Sequence, residues 1–220
     1  MASVASPFGL RPINLIGGQA FNGGVIREYK VASNNSAAIF NGDLVVLSSA
    51  GLPSAVGSTP VAISLGETST NATAGIVGVC VGARYVDSTG IVQYRQYLPA
   101  NAITGGATDV YVRVMDDPDA LFQIQGSAAL GTFNSGTDGS GWPGAIGKNA
   151  QLGFGTAGST ATGNSGVNLV VGTNGASLAA TSTLAVRIVD VVDGTQTDDY
   201  PEFIVKLNVG VHSYNNPLGV

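Results

Sequence analysis

Lysine and glutamate occur only three times each in this chain, and charged residues together make up 10% of it, against ~25% in an average globular protein. The residues that build soluble helices are therefore scarce. That argues against a helical bundle, a coiled coil and a charged disordered chain. The nine cations form no stripe and the formal net charge is −5, so nucleic acid is not an expected partner. No apolar run reaches the ~18–20 residues of a membrane helix, and no membrane partner is expected. The start, Met1-Ala2-Ser3-Val4-Ala5-Ser6-Pro7, lacks the charged opening and apolar middle of a signal peptide. The glycosylation tripeptides Asn34-Asn35-Ser36 and Asn71-Ala72-Thr73 therefore read as chance matches. A single cysteine, Cys80, cannot form an internal disulfide, which fits folding in a reducing cytoplasm. Set in Ile76-Val77-Gly78-Val79-Cys80-Val81, it reads as a small buried hydrophobe. With one histidine, His212, multi-histidine metal sites and mechanisms are excluded.

What the chain has instead is 44% hydrophobic residues, 32 glycines, and a polar complement of 19 serines, 17 threonines and 15 asparagines. Such a chain stays wet through hydroxyls and amides and places β-branched residues inside, so an all-β fold is expected. Its length of 220 residues allows a substantial core. Period-two patterning and turn residues predict strands over 25–31, 43–47, 75–86, 91–98, 110–115, 121–125, 167–171, 184–192 and 203–212. Gly78 and Gly82 inside the long run 75–86 indicate a bulge or a close backbone approach. In 91–98, Val92, Tyr94 and Leu98 are expected on one face, with Gln93, Arg95 and Tyr97 on the other. The apolar face of 184–192 is expected to hold Leu184, Val186, Ile188 and Val192. That of 203–212 is expected to hold Phe203, Val205, Leu207, Val209 and Val211. Short strands with short turns suit a β-sandwich or a β-barrel-like domain, and the pattern leaves the two open.

Two stretches depart from this rhythm. Residues 1–24 contain Pro7 and Pro12 and apolar residues without steady alternation, which reads as an extended N-terminal arm ahead of a single β-rich domain, 25–220. Phe8, Leu10, Ile13 and Ile16 must be buried against either this domain or a neighbour. Residues 126–166 are rich in Gly, Ser and Thr, with Trp142 and Phe154 as large anchors, and read as a long loop.

No catalytic, cofactor-binding or metal-binding residue is assigned. G-x-G-x-x-G occurs at Gly139, Gly141, Gly144 and at Gly153, Gly155, Gly158, but neither match leads into a helical pattern. Gly147-Lys148-Asn149 lacks both the leading glycine and the hydroxyl of a phosphate loop. No serine sits in G-x-S-x-G to join His212 in a triad. Asp116, Asp117 and Asp119 match no calcium loop and read as an Asp-Pro turn, as do Asp198 and Asp199 before Pro201. Paired carboxylates of a glycosidase type identify no cleft. The expectation is a protein that is not an enzyme.

Several segments, in order, resemble a family. Ser6-Pro7-Phe8-Gly9-Leu10-Arg11-Pro12 is similar to the start of a group of tailed-bacteriophage virion proteins usually encoded beside the major capsid protein. The likeness runs on through Phe40-Asn41-Gly42-Asp43, Gly78-Val79-Cys80-Val81-Gly82 and Tyr111-Val112-Arg113-Val114. It is strongest at Asp116-Asp117-Pro118-Asp119-Ala120-Leu121-Phe122-Gln123-Ile124-Gln125. It continues in Ile146-Gly147-Lys148-Asn149-Ala150 and Phe203-Ile204-Val205-Lys206-Leu207-Asn208. The group's usual Asn-x-His ending is altered, His212 lying four residues after Asn208.

The resemblance implies a capsid decoration, or cement, protein made in the host cytoplasm and located on the capsid exterior of the virion. The implied partners are the major capsid protein and further copies of this chain, a homotrimer at local three-fold positions. Capsid and inter-subunit contacts would then fall on Phe8, Leu10, Arg11, Ile13, Leu15 and Ile16. On this reading a chain lacking residues 2–16 keeps its β domain folded and binds the capsid less well. The alternatives are a head-fibre or tail-associated structural protein, or a host-glycan-binding one using Tyr94, Tyr97 or Tyr214.

Overall fold

The computed structural model describes residues 4–16, 26–48, 62–65, 76–131 and 141–208. Expectations for Val209, Val211, His212, Tyr214, Asn71-Ala72-Thr73 and residues 1–3, 17–24 and 132–140 lie outside them. In chain order the strands are β1 (Arg11–Leu15), β2 (Ile26–Val31), β3 (Leu44–Ser48), β4 (Ala62–Leu65), β5 (Ile76–Val86) and β6 (Val92–Arg95). Then come β7 (Thr108–Met115), β8 (Ala120–Gln125), the short helix α1 (Trp142–Ala145), β9 (Asn149–Gly153), β10 (Asn168–Val170), β11 (Val186–Val191) and β12 (Glu202–Leu207). The chain is all-β, as its composition requires. Among the described residues no helix is long and apolar enough to cross a membrane.

Both architectures left open by the sequence are present. One sheet is antiparallel throughout, in the order β1-β8-β12-β11-β9-β10. The other runs β3-β4-β2-β7-β5-β6, and an additional β3–β5 pairing joins its strands into a five-stranded ring from which β6 projects. Only the β2–β4 pair in it is parallel. The ring encloses Tyr29, Val31, Val45, Val77, Cys80, Ala83 and the three valines of β7, Val110, Val112 and Val114. A second, larger core lies between the open sheet and the outer wall of the ring. It joins Leu44, Ile76, Val79 and Met115 to Phe122, Ile124, Phe203, Val205 and Ile188.

The first half of β5 belongs to both cores. Val77 and Cys80 face the ring interior while Ile76 and Val79 face the open sheet. A strand buried on both sides reads as an unbroken apolar run, which is why 76–81 shows no alternation. Bulges in its pairing with β7 occur where Gly82 enters, supplying the bend that a small ring demands. Gly78 is a close approach, since a Cβ on it would stand 2.0 Å from the Met115 carbonyl oxygen.

Four sequence expectations are corrected. Residues 11–15 form β1 on the edge of the open sheet, paired with β8, and Leu10 is fully buried in the larger core. The segment is thus part of the domain, and removal of residues 2–16 takes out a core side chain and a strand. The stretch 126–166 is no continuous loop: it contains α1 and β9, and β9 places Ala150 and Leu152 in the core. In β6, Val92 and Tyr94 face outward and are 50% and 71% exposed, while Leu98 is buried. The expected common face ends at Arg95, where the strand stops. A bulge between Ile188 and Asp190 shifts the later apolar face of β11, so that Val191 is fully packed and Val192 only half-buried.

A Leu10→Ala chain should lose about 3 kcal/mol of stability by chemical denaturation, the cost of an unfilled core site. The Cys80 thiol is driven up to about 12 by burial, opposed by a backbone hydrogen bond of Gly82, raised further by Asp43 and lowered by Arg113. An unfolded thiol ionises near ~8.5, so folding stability should fall as pH rises from there toward the folded value. Native protein should accordingly leave a disulfide reagent unreacted at pH near 8 and consume it only after denaturant is added.

Candidate functional site

Residues 8–12 cross from the open sheet onto the ring, and the crossing is tight. Gly9 and Gly42 both have positive φ, 76° and 97°, a region open to glycine at no steric cost. A Cβ on either would come within 2.9 Å of the other's Cα. Leu10 N–H donates to the Gly42 carbonyl at 3.0 Å, Gly42 N–H to the Cys80 carbonyl at 2.8 Å, and Cys80 N–H to the Asp43 carbonyl at 2.8 Å. This ladder seats Phe8 and Arg11 beside the outer face of β5 and β7.

A cavity of about 470 Å³ lies at that junction, within the ~300–1,000 Å³ range of small-molecule sites. Arg11 comes from β1 and Arg113 from β7; Asn41, Gln96 and Asn164 come from three connections. Phe8, Pro12, Ile26 and Val81 form its apolar wall. The Arg11 guanidinium lies over the Phe8 ring, 4.3 Å from its centroid. Arg113 pairs in register with Gly82, whose missing side chain makes room for it: a Cβ there would be 2.7 Å from an Arg113 terminal nitrogen. The Arg113 Nε is buried and has no hydrogen-bond partner among the described residues. Its cross-strand neighbour on the other side, Glu28, pairs instead with Arg84 at 3.4 Å. Gln96 donates its amide to Asn164 Oδ1 at 2.7 Å. Beside them Phe40 and Tyr97 stack with centroids 5.1 Å apart.

Several other cations are committed within the chain. Arg27 and the Tyr29 hydroxyl both bond Asp116, the latter at 2.5 Å. Lys206 pairs with Asp119 at 2.6 Å, and Arg187 donates to Asn149 Oδ1 at 3.0 Å. In the smaller cavity of about 290 Å³, which Ile16, Arg187 and Lys206 help to line, Lys206 is thus neutralised by Asp119, while Arg187 meets a neutral amide. The three aspartates of the 116–119 turn go separate ways, Asp117 accepting from Asp119 N–H at 2.7 Å. No group of three metal-ligating side chains occurs among the described residues. Asn208 is structural, its amide donating to the Leu184 carbonyl at 2.6 Å.

The second exposed feature is the β5–β6 hairpin. Asp87 accepts from Thr89 N–H (2.9 Å), the Thr89 hydroxyl (2.6 Å), Ile91 N–H (3.0 Å) and the Gln93 amide (2.7 Å). One carboxylate thus closes the turn and ties down the start of β6. It holds Ile91, Val92 and Tyr94 outward, with β6 the last strand of its sheet.

Of the six residues expected to make contacts, Phe8 and Arg11 line the larger cavity. Leu10 is internal, Leu15 packs on the core, Ile13 is half-buried and Ile16 is 51% exposed at the smaller cavity. Arg113, Asn41, Gln96 and Asn164 were not singled out as site residues, and the only signal for Arg113 was a glycine that strand register later places opposite it. Comparison with family models, with curated proteins and with solved structures finds no match for this chain.

The Asp87 carboxyl is held well below the usual carboxylate range, first by the Thr89 hydroxyl, then by the Gln93 amide and the Ile91 N–H. The hairpin contacts should therefore persist through mild acid. They weaken only as pH falls below the ordinary Asp value of ~3.9 and through the depressed folded one. Asp87→Ala should speed amide hydrogen exchange across residues 88–95 at neutral pH while leaving β8 and β12 protected.

Proposed function

We propose that this chain is a virion structural protein that binds the outer surface of a phage head and cements neighbouring major capsid subunits. It acts as a homotrimer and performs no catalysis. The observation that carries the reading is the clamped hairpin, which presents Ile91, Val92 and Tyr94 to solvent on an edge strand. Large apolar side chains on a sheet edge are what a soluble monomer ordinarily avoids, because an open edge is a template for another chain. Held rigid by Asp87, they lose little conformational freedom on contact. A symmetric oligomer carrying several such patches gains affinity by effective concentration, so each patch need bind only modestly. The ordered family resemblance supplies the partner, and the weakly charged acidic surface suits adhesion to protein better than to a genome.

The copy number of the chain per major capsid subunit in purified virions, by quantitative mass spectrometry, tests this. A ratio near one supports cement across the whole shell; a few per cent moves the protein to a vertex, fibre or tail. A Val92→Ser, Tyr94→Ser double variant alters only exposed side chains and should keep the wild-type melting temperature. Its occupancy on virions should fall severalfold.

A further inference from the structure

We infer that the junction cavity is a binding site for an acidic sugar, with the carboxylate of a hexuronate-type residue taken by Arg113 and Arg11. The inference does not rest on the head-surface reading, since it uses other side chains and a different ligand. In a chain with 14 acidic and nine basic residues, Arg27, Arg84 and Lys206 have carboxylate partners. Arg11 and Arg113 converge on one cavity with no carboxylate among its lining residues. Arg113 goes further, keeping a buried Nε without a partner among the described residues. A buried donor left unpaired costs free energy, and an anion that draws the guanidinium into the cavity would relieve that cost. The guanidinium fork matches the planar carboxylate in geometry as well as charge.

The rest of the cavity selects among carboxylates. Gln96 and Asn164 use one amide atom each on one another. That leaves the Gln96 Oε1 as an acceptor and the Asn164 Nδ2 as a donor. A pair offering both senses fits hydroxyl groups, which donate and accept at once. The opposite wall, Phe8 with Pro12 and Val81, is apolar and suits the C–H face of a pyranose ring. A free phosphate would use the arginines and leave both the amides and this wall unused, as would the isolated side chain of an acidic peptide.

Calorimetric titration of the full chain with glucuronic acid tests the assignment, with glucose, inorganic phosphate and tetraglutamate as comparison ligands. Saturable binding of glucuronic acid is expected in the millimolar range or tighter, with the three comparison ligands bound at least tenfold more weakly. Arg11→Gln and Arg113→Gln should each weaken glucuronic acid by roughly tenfold or more, the loss of one charge-assisted contact. Thermal melts report whether each variant folds. Should Arg113→Gln fail to fold, Arg11→Gln and Asn164→Ala, both at exposed or half-buried positions, decide the matter. Absence of glucuronic acid binding, equal binding of phosphate or tetraglutamate, or binding indifferent to the folded variants would overturn the inference.

Discussion

The contact of Gly9 with Gly42 sets the rest of the molecule in place. Two backbones cross there at a separation no side chain would permit, and the hydrogen-bond ladder from Leu10 through Gly42 to Cys80 runs straight across the crossing. Leu10 drops into the core shared by sheet and ring on one side of it. Arg11 is delivered to the outer face of the ring on the other. A methyl group at either glycine would push the segment off the ring, and with it both the core plug and one wall of the cavity. Packing and site are therefore one constraint, which explains why a short proline-containing strand at a sheet edge matters so much to the whole.

Much of the fold was legible in the sequence because most strands are local patterns. β7 and β12 alternate as written, and the unbroken apolar run of β5 correctly signalled a strand with something on both faces. What escaped notice depends on distant partners. β9 reads Asn-Ala-Gln-Leu-Gly, weak in strand-forming residues, and exists because β11 and β10 pair with it. β4 has four residues and owes its place to β3 and β2. Leu98 does not share the exposed face of Val92 and Tyr94 because β6 ends at Arg95, and alternation does not mark where a strand stops. The cavity was the least legible part. Its polar groups come from β1, β7 and three connections, and only strand register brings Arg113 over Gly82.

Electrostatics in so lightly charged a chain is a matter of allocation. Asp116 gathers Arg27 and Tyr29, Asp119 holds Lys206, Glu28 takes Arg84, and Asp87 organises a hairpin with no cation at all. Each carboxylate in this set is spent locally on a turn or a cross-strand tie. The larger cavity, by contrast, gathers two arginines with no carboxylate in its lining, beside amides that still have hydrogen bonds to give.

The order of strands along the chain also dictates an order of events during synthesis. All five strands of the ring precede residue 116, so the ring can close while the second half of the chain is still being made. The open sheet cannot. β1 must wait for β8, and β8 for β12, whose last residue is Leu207. Until then Leu10 and the apolar outer wall of the ring face water. A ring closed during synthesis would thus leave that wall exposed until the C-terminal strands arrive, and transiently exposed apolar surface of this kind favours aggregation.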